Sequence, residues 1–173
     1  YFTSNCSKTD YNLRGPKGRN PKDFWNYSGK DYAGTWKKRK EGQPFFTVYN
    51  IGDSHESRAF GDPKDESVDP EKMILAPYHP DLPEMRNTYA KYSSAISKMD
   101  SLVGQAIENL KQDGLYENTI IVYNSDHGGV LARSKRFLYS SGIHCPLIVR
   151  IPEKMTHLYP QGKSPGSTID RIV

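Results

Sequence analysis

The sequence predicts an α/β fold in which part of a mainly parallel sheet is flanked by helices. Three short apolar runs rich in β-branched residues, 45–49, 119–123 and 145–152, have the length and composition of buried strands. One longer stretch with a helical period, 84–112, separates the first run from the second. Strands and a helix in this order indicate a parallel sheet covered by helices.

The first strand is predicted in the segment PFFTVYNIG, at Phe45–Tyr49, and Gly52 closes it. Residues 11–44 before it are rich in Gly, Pro, Lys, Asn and Tyr without a sustained period, so we predict a loop with one short helix near 23–28. Residues 53–83 after it carry many Pro and Asp and predict a long surface excursion. Long excursions of this kind are usually functional or mobile.

A single amphipathic helix is predicted from Glu84 to Gln112, and Gly114 stops it. Its apolar side chains recur at alternating steps of three and four residues. They are Met85, Tyr89, Tyr92, Ile96, Met99, Val103, Ile107 and Leu110. The second strand, Thr119–Tyr123, follows directly, and the third strand comes after a glycine-containing loop.

Composition limits the classes of function. The 173 residues carry 24 basic and 20 acidic side chains, a formal net charge of +4, and the longest cationic cluster is WKKRK at 36–40. A nucleic-acid-binding protein more often has a basic face with interleaved aromatic residues, so we interpret this cluster as a solvated surface run and expect no nucleic-acid partner.

Cys6 and Cys145 show neither a disulfide-framework nor a zinc spacing. We expect no membrane span, because no apolar stretch is long enough, and the chain does not open with a signal sequence.

Polar side chains follow the ends of two predicted strands. Asp53 and His55 come after the first strand, and Asp126 and His127 come directly after the second. In parallel sheets, ligands bind beyond the carboxyl ends of the strands. A neighbouring carboxylate and imidazole can both bind a divalent cation where the backbone turns sharply, which the following glycines permit. The alternative is an ordinary turn in which Asp126 caps a backbone amide.

Other candidate residues have weaker signals. His55 lies in the polar segment GDSHESR and can act as a general acid, the alternative being a solvated loop histidine. Lys135 and His144 precede the third strand at the same expected edge, where cations would suit an anionic substrate; the alternative is two exposed surface residues. Lys8 and Asp10, in SKTDYN, carry no functional signal by themselves.

Taken together, these segments resemble the catalytic domain of a type I sulfatase, in the alkaline phosphatase superfamily. The resemblance is carried most specifically by NTIIVYNSDHGG and RSKRFLYSSGIHCPLIVRIP, and it extends to YFTSNCSKTDYN, PFFTVYNIGDSHESR and KMDSLVGQAIENLKQDGLYENT. It implies an alkaline phosphatase-like fold. It also implies that Asp126 and His127 are ligands of an active-site Ca²⁺ (or Mg²⁺), and that His55 and Lys135 contact the sulfate and help to protonate the leaving oxygen.

The resemblance also assigns roles to three further residues. Lys8 matches the family's sulfate-side lysine, and His144 is expected near the substrate. Asp10 stands where many sulfatases have a second histidine, in the pattern Gly-Lys-x-His, and is expected to contact substrate. The early paired aspartates of the metal site and the Cys-x-Pro-Ser-Arg segment, whose cysteine becomes formylglycine, are absent from this sequence, and neither Cys6 nor Cys145 fits that pattern.

These likenesses imply that residues 1–173 are a partial sulfatase catalytic domain, and we expect the N-terminal nucleophile segment and the C-terminal subdomain to lie outside them. The complete protein is expected to be a sulfuric ester hydrolase that removes sulfate from a sulfated carbohydrate by a metal-assisted formylglycine mechanism, with the formylglycine supplied from outside this segment. We expect the segment alone to be inactive. The resemblance also implies a periplasmic or secreted protein. Two alternatives stay open: a phosphatase or phosphodiesterase of the same superfamily, and a non-catalytic module that keeps the scaffold.

Overall fold

The computed structural model shows two compact units, Tyr1–Gly52 and Asp53–Val173. The residues that it describes are 1–6, 8, 21–30, 35–58, 68–163 and 166.

The first unit contains a three-stranded parallel sheet. Its strands are β1 (Phe2–Cys6), β2 (Tyr27–Gly29) and β3 (Phe45–Tyr49), in the order β2-β1-β3. Cys6 is in register with Gly29 on one side and with Tyr49 on the other, so the carboxyl ends of the three strands lie at one edge. The predicted fold class, which includes a parallel sheet, is therefore confirmed. Of the three strands that the sequence predicts, β3 lies in this sheet with its predicted bounds, whereas the other two form a separate pair.

The central strand β1 was not predicted, because its residues are mostly polar. Ser4 and Asn5 are nevertheless buried, at 0% and 1% exposure. Ser4 Oγ lies 2.9 Å from Thr47 Oγ1 on β3, and Asn50 Nδ2 donates to Asn5 Oδ1 at 2.7 Å. Because each buried polar group has a hydrogen-bond partner, a central strand without an apolar pattern is stable here.

Two short 3₁₀ helices flank this sheet, at Pro21–Phe24 and Trp36–Lys38. The first corresponds to the short helix predicted near 23–28, and it ends early because the chain then enters β2. The second places the buried Trp36 against the rings of Phe45 and Tyr49, with centroids 5.7 and 6.0 Å away. This aromatic cluster is part of the apolar core of the first unit.

The second unit is built around one long helix, α1, at Pro83–Gln112, as the sequence predicts. Proline at the first helical position costs no hydrogen bond there. The helix ends in a Schellman motif: Gly114 has a left-handed φ of 69°, Leu115 N donates to Leu110 O at 3.0 Å and Gly114 N donates to Lys111 O at 2.9 Å. Among the described residues, no helix combines the length and the apolar character that crossing a membrane requires.

The two remaining strands, β4 (Ile121–Asn124) and β5 (Leu147–Arg150), form an antiparallel pair in which Val122 is in register with Val149. From the sequence, the third predicted strand, 145–152, is expected in a parallel sheet. That expectation is wrong, because β5 is antiparallel to β4. The segment between the strands contains only one helical turn, α2 (Ser140–Ile143), and Ser125 N donates to Pro146 O at 3.3 Å. The two ends of the segment therefore meet, which reverses the chain, whereas a parallel pair needs a crossover that carries the chain back to the starting end of the first strand, usually as a helix.

Candidate active site

The segment after β4 carries the predicted metal-binding pair. Asp126 Oδ1 and His127 Nε2 lie 3.5 Å apart. His127 Nδ1 lies 3.0 Å from the carbonyl oxygen of Gly128, which can only accept a hydrogen bond, so this nitrogen carries a proton and donates it. The lone pair of the neutral ring is therefore on Nε2, beside the Asp126 carboxylate. Imidazoles that bind metals are commonly oriented in this way by a second N–H bonded to a carbonyl.

The distance between the two side chains is compatible with both of them contacting one cation. Two atoms that bind one calcium in neighbouring positions, each about 2.4 Å from the ion, lie about 3.4 Å apart, whereas magnesium at about 2.1 Å requires about 3.0 Å. Within the described ranges, no group of three or more His, Cys, Asp or Glu side chains is arranged to hold a metal. If these two residues bind a metal, as the sequence predicts, they account for two of the six or more ligands that a hard cation takes.

The first of the two glycines behind this pair, Gly128, is required by close packing. A Cβ on Gly128 would lie 2.1 Å from the carbonyl oxygen of Ser141 and 2.9 Å from Cα of Gly142. Gly128 N also donates to Gly142 O at 3.0 Å. Neither Gly128 nor Gly129 has a left-handed φ. Gly128 therefore allows the Asp126–His127 segment to lie directly on the backbone of α2, which fixes its position.

His55 lies in the segment after β3, at the start of a 3₁₀ helix, Glu56–Arg58. Ser57 N donates to His55 Nδ1 at 3.2 Å, and Ser57 Oγ lies 3.0 Å from the same nitrogen. A backbone N–H can only donate, so Nδ1 accepts and the proton of the neutral ring is on Nε2. The His55 side chain is exposed. His55 is thus held with a proton donor directed away from its own loop.

A carboxylate that the sequence analysis did not assign connects this loop to the predicted lysine. Glu56 Oε2 lies 3.4 Å from Lys135 Nζ and 2.8 Å from Arg136 Nη2. The Glu56 and Lys135 side chains are largely buried, at 19% and 23% exposure. Glu56 follows His55 directly in the chain, so the ion pair brings the His55 loop beside Lys135.

The Lys135 loop is in turn fixed to the metal-binding segment. Lys135 N donates to Gly129 O at 2.9 Å. Four predicted residues, His55, Lys135, Asp126 and His127, therefore lie on two loops of the second unit that contact each other. This connected arrangement can present a proton donor, a cation and two metal ligands to one anionic group.

The structure also places two of the other three predicted residues. Lys8 is exposed and lies just beyond Cys6, at the carboxyl end of β1 in the first unit. His144 is exposed at the C-terminal end of α2, where its backbone N–H donates to Ser140 O at 2.9 Å. Asp10 lies outside the described residues.

Two ion pairs of the site could not have been found from sequence spacing. Glu56 and Arg136 are separated by 80 positions, and Asp53 Oδ1 pairs with Lys98 Nζ of α1 at 2.8 Å. The only available signal was charge complementarity between the acidic His55 segment and the basic segment around Lys135. Both pairs tie the segment after β3 to the rest of the second unit.

Comparison with known proteins gives a consistent result. The family model described as Sulfatase matches residues 3–171. The ulvan-active sulfatase of Formosa agariphila is 33% identical over an alignment 191 residues long, gaps included. The alignment covers 90% of this chain and 31% of the relative. The endo-4-O-sulfatase of Bacteroides thetaiotaomicron is 27% identical over 65% of the chain and 25% of its own length. Arylsulfatase K of Bos taurus is 33% identical over 40% of the chain and 14% of its own length.

The matched region thus spans less than a third of each of these three relatives. The family model nevertheless covers nearly the whole chain, including β1, β3, α1 and the segment after β4. The chain belongs to the sulfatase family.

Proposed function

We propose that the complete protein hydrolyses sulfate esters of a sulfated carbohydrate. Membership of the sulfatase family supports the reaction. Relatives named ulvan-active sulfatase and endo-4-O-sulfatase support a carbohydrate substrate. The observation that carries the proposal is that the loops holding His55, Lys135, Asp126 and His127 contact each other, through the Glu56–Lys135 ion pair and the hydrogen bond from Lys135 N to Gly129 O.

In this proposal His55 is the proton donor. Its Nδ1 is engaged by the backbone N–H of Ser57, so Nε2–H is the group that can donate to the leaving oxygen or to a sulfate oxygen. Protonating the leaving oxygen as the S–O bond breaks avoids releasing a sugar alkoxide. This step matters most for a sugar alcohol, which is a poor leaving group.

Lys135 stabilises the charge of the sulfate. Lys135 and Arg136 are two cations against the single carboxylate of Glu56, so the group keeps one net positive charge. Glu56 also fixes the position of the ammonium group before substrate binds. A positioned cation in a partly buried site lowers the energy of a transition state with developing negative charge.

Two further components complete the proposed site. Asp126 and His127 would hold a Ca²⁺ (or Mg²⁺), and such an ion when bound offsets charge on the non-bridging sulfate oxygens. The nucleophile would be a formylglycine supplied from outside residues 1–173, which contain no Cys-x-Pro-Ser-Arg segment. Lys8, Asp10 and His144 are proposed to contact substrate, and the protein is proposed to be periplasmic or secreted.

Sulfate release by the complete protein tests this function. We expect release from ulvan or another sulfated polysaccharide in the presence of calcium, and little phosphate release from an aryl phosphate. His55→Ala should abolish most of the activity, whereas His157→Ala, which removes another exposed histidine, should not. Phosphate release exceeding sulfate release would identify a phosphatase instead, and no turnover of either substrate would favour a non-catalytic module.

A further inference from the structure

We propose that Arg133 binds an anionic group on a sugar residue next to the one that carries the scissile sulfate. The anionic group is a second sulfate ester or a carboxylate. Arg133 lies in the loop between β4 and β5, two positions before Lys135. The inference rests on the proposed function, because it adds a specificity-determining residue to that site.

The Arg133 guanidinium packs on two exposed aromatic rings. Its Cζ lies 4.5 Å from the ring centroid of Tyr78 and 4.1 Å from that of Tyr139. Both rings remain about half exposed, at 44% and 49%. Aromatic contacts hold the plane of a guanidinium but leave its N–H groups, which lie at the edge of that plane, available for hydrogen bonds.

Those N–H groups are unpaired within the part of the chain that the structure describes. Three other arginines of the same unit differ in this respect. Arg86, Arg136 and Arg150 each donate to a carboxylate at 2.8 Å or less. The N–H donors of Arg133, in contrast, are available to a ligand.

The backbone at Arg133 supports a functional position. Its φ of 64° is left-handed, which is uncommon for a residue with a side chain and persists where the surroundings enforce it. Hydrogen bonds on both sides do so: His79 Nε2 donates to Ala132 O at 2.9 Å, and Ser141 Oγ donates to Arg133 O at 2.6 Å. The direction of the Arg133 side chain is thus fixed before a ligand arrives.

The chemistry of the surface selects an anionic sugar. A guanidinium binds sulfate or carboxylate oxygens through paired hydrogen bonds. Phe137, stacked near Tyr139 with centroids 6.2 Å apart, adds apolar ring surface that is 51% exposed and can contact the C–H face of a sugar. Cα atoms two positions apart are separated by at most about 7 Å, so Arg133 and Lys135 can contact charged groups on neighbouring sugar residues.

The test compares substrates that do and do not reach Arg133. Sulfate release by the complete protein is measured with Arg133→Ala on sulfated oligosaccharides and on an aryl sulfate. Loss of a charged hydrogen bond predicts an increase in KM of about 10- to 100-fold for oligosaccharides with an anionic neighbouring residue. The aryl sulfate and an oligosaccharide with a neutral neighbouring residue should show no change. Arg133→Lys should lose part of the affinity, because it keeps the charge but not the planar fork.

Controls separate this role from folding and from the proposed reaction. Lys154→Ala removes one exposed charge elsewhere and should leave every KM unchanged. Oligosaccharides whose neighbouring group is a sulfate or a carboxylate distinguish the two ligands. Equal losses on all substrates, or no loss on any, would overturn the inference. If the wild type releases no sulfate, the proposed function fails, and calorimetric binding of the same oligosaccharides then decides the inference. A lower affinity of Arg133→Ala than of the wild type supports it. Equal affinity of the two proteins, or no binding by the wild type, overturns it.

Discussion

The packing of Gly128 against α2 predicts a large effect of a single methyl group. In Gly128→Ala the new Cβ would lie 2.1 Å from the carbonyl oxygen of Ser141, well inside contact distance. Both segments must then move apart, because the clash is with backbone and no side chain can rotate away. Overpacking of this kind costs about 1–3 kcal/mol, and weakening the Gly128–Gly142 hydrogen bond adds about 1 kcal/mol. We therefore expect the free energy of unfolding of the complete protein to fall by about 2–4 kcal/mol.

Two other glycines provide matched controls. Gly104 lies on α1 with no atom within 4 Å of an added Cβ, so Gly104→Ala should leave stability unchanged or raise it by up to about 1 kcal/mol. Gly129→Ala should fall between them, because its closest contact is the Tyr92 hydroxyl at 3.1 Å, at the end of a side chain that can shift. Chemical denaturation measures all three variants. A stability loss in Gly128→Ala no larger than that in Gly104→Ala would refute the packing argument.

Three further predictions concern the lysine, the metal and one tyrosine. Lys135→Ala should lower kcat for sulfate release by about 100-fold or more with little change in melting temperature, and an equal loss in Lys154→Ala would show a general charge effect. Residues 1–173 alone should bind calcium weakly, because Asp126 and His127 are only part of the coordination shell that calcium needs. A calorimetric titration that shows micromolar calcium binding, lost in Asp126→Ala, would contradict this. Burial, and to a smaller extent the charge of nearby Tyr123, raises the pKa of Tyr92. Its neutral form therefore stabilises the fold fully below about pH 10, and that contribution is lost as the pH rises through the folded-state pKa. Ultraviolet titration of the wild type and Tyr92→Phe should show one late-titrating phenol missing in the variant, and identical curves would refute the assignment.

The parts of the fold that the sequence predicts are those with a clear apolar pattern. Strand β3 is a compact aromatic and β-branched run, and helix α1 carries apolar side chains at steps of three and four, so their type and bounds follow from pattern alone. Strand β1 has no such pattern. Its buried Ser4 and Asn5 are stabilised by Thr47 and Asn50, which are distant in sequence, and no local rule finds such pairs. The antiparallel direction of β5 likewise depends on a contact between the ends of its connecting segment.

The same distinction holds for the candidate site. Their place in the sequence makes Asp126 and His127 candidate metal ligands, because packing of an apolar strand does not require an ionisable pair at its end. It does not predict which ring nitrogen is protonated, since that depends on a carbonyl for His127 and on an amide for His55. The role of Glu56 depends on an ion pair with a residue 80 positions away, which only the folded chain reveals.

The assignment of His55 as the proton donor is tested most directly by its dependence on the leaving group. Sulfate release by the complete protein is compared between wild type and His55→Ala on an activated aryl sulfate and on a sugar sulfate. We predict a loss of kcat of about 100-fold or more on the sugar sulfate, whose alcohol needs a proton, and a much smaller loss on the aryl sulfate. Equal losses on both substrates would mean that His55 binds sulfate without acting as the acid, and an unchanged rate on both would remove it from the active site.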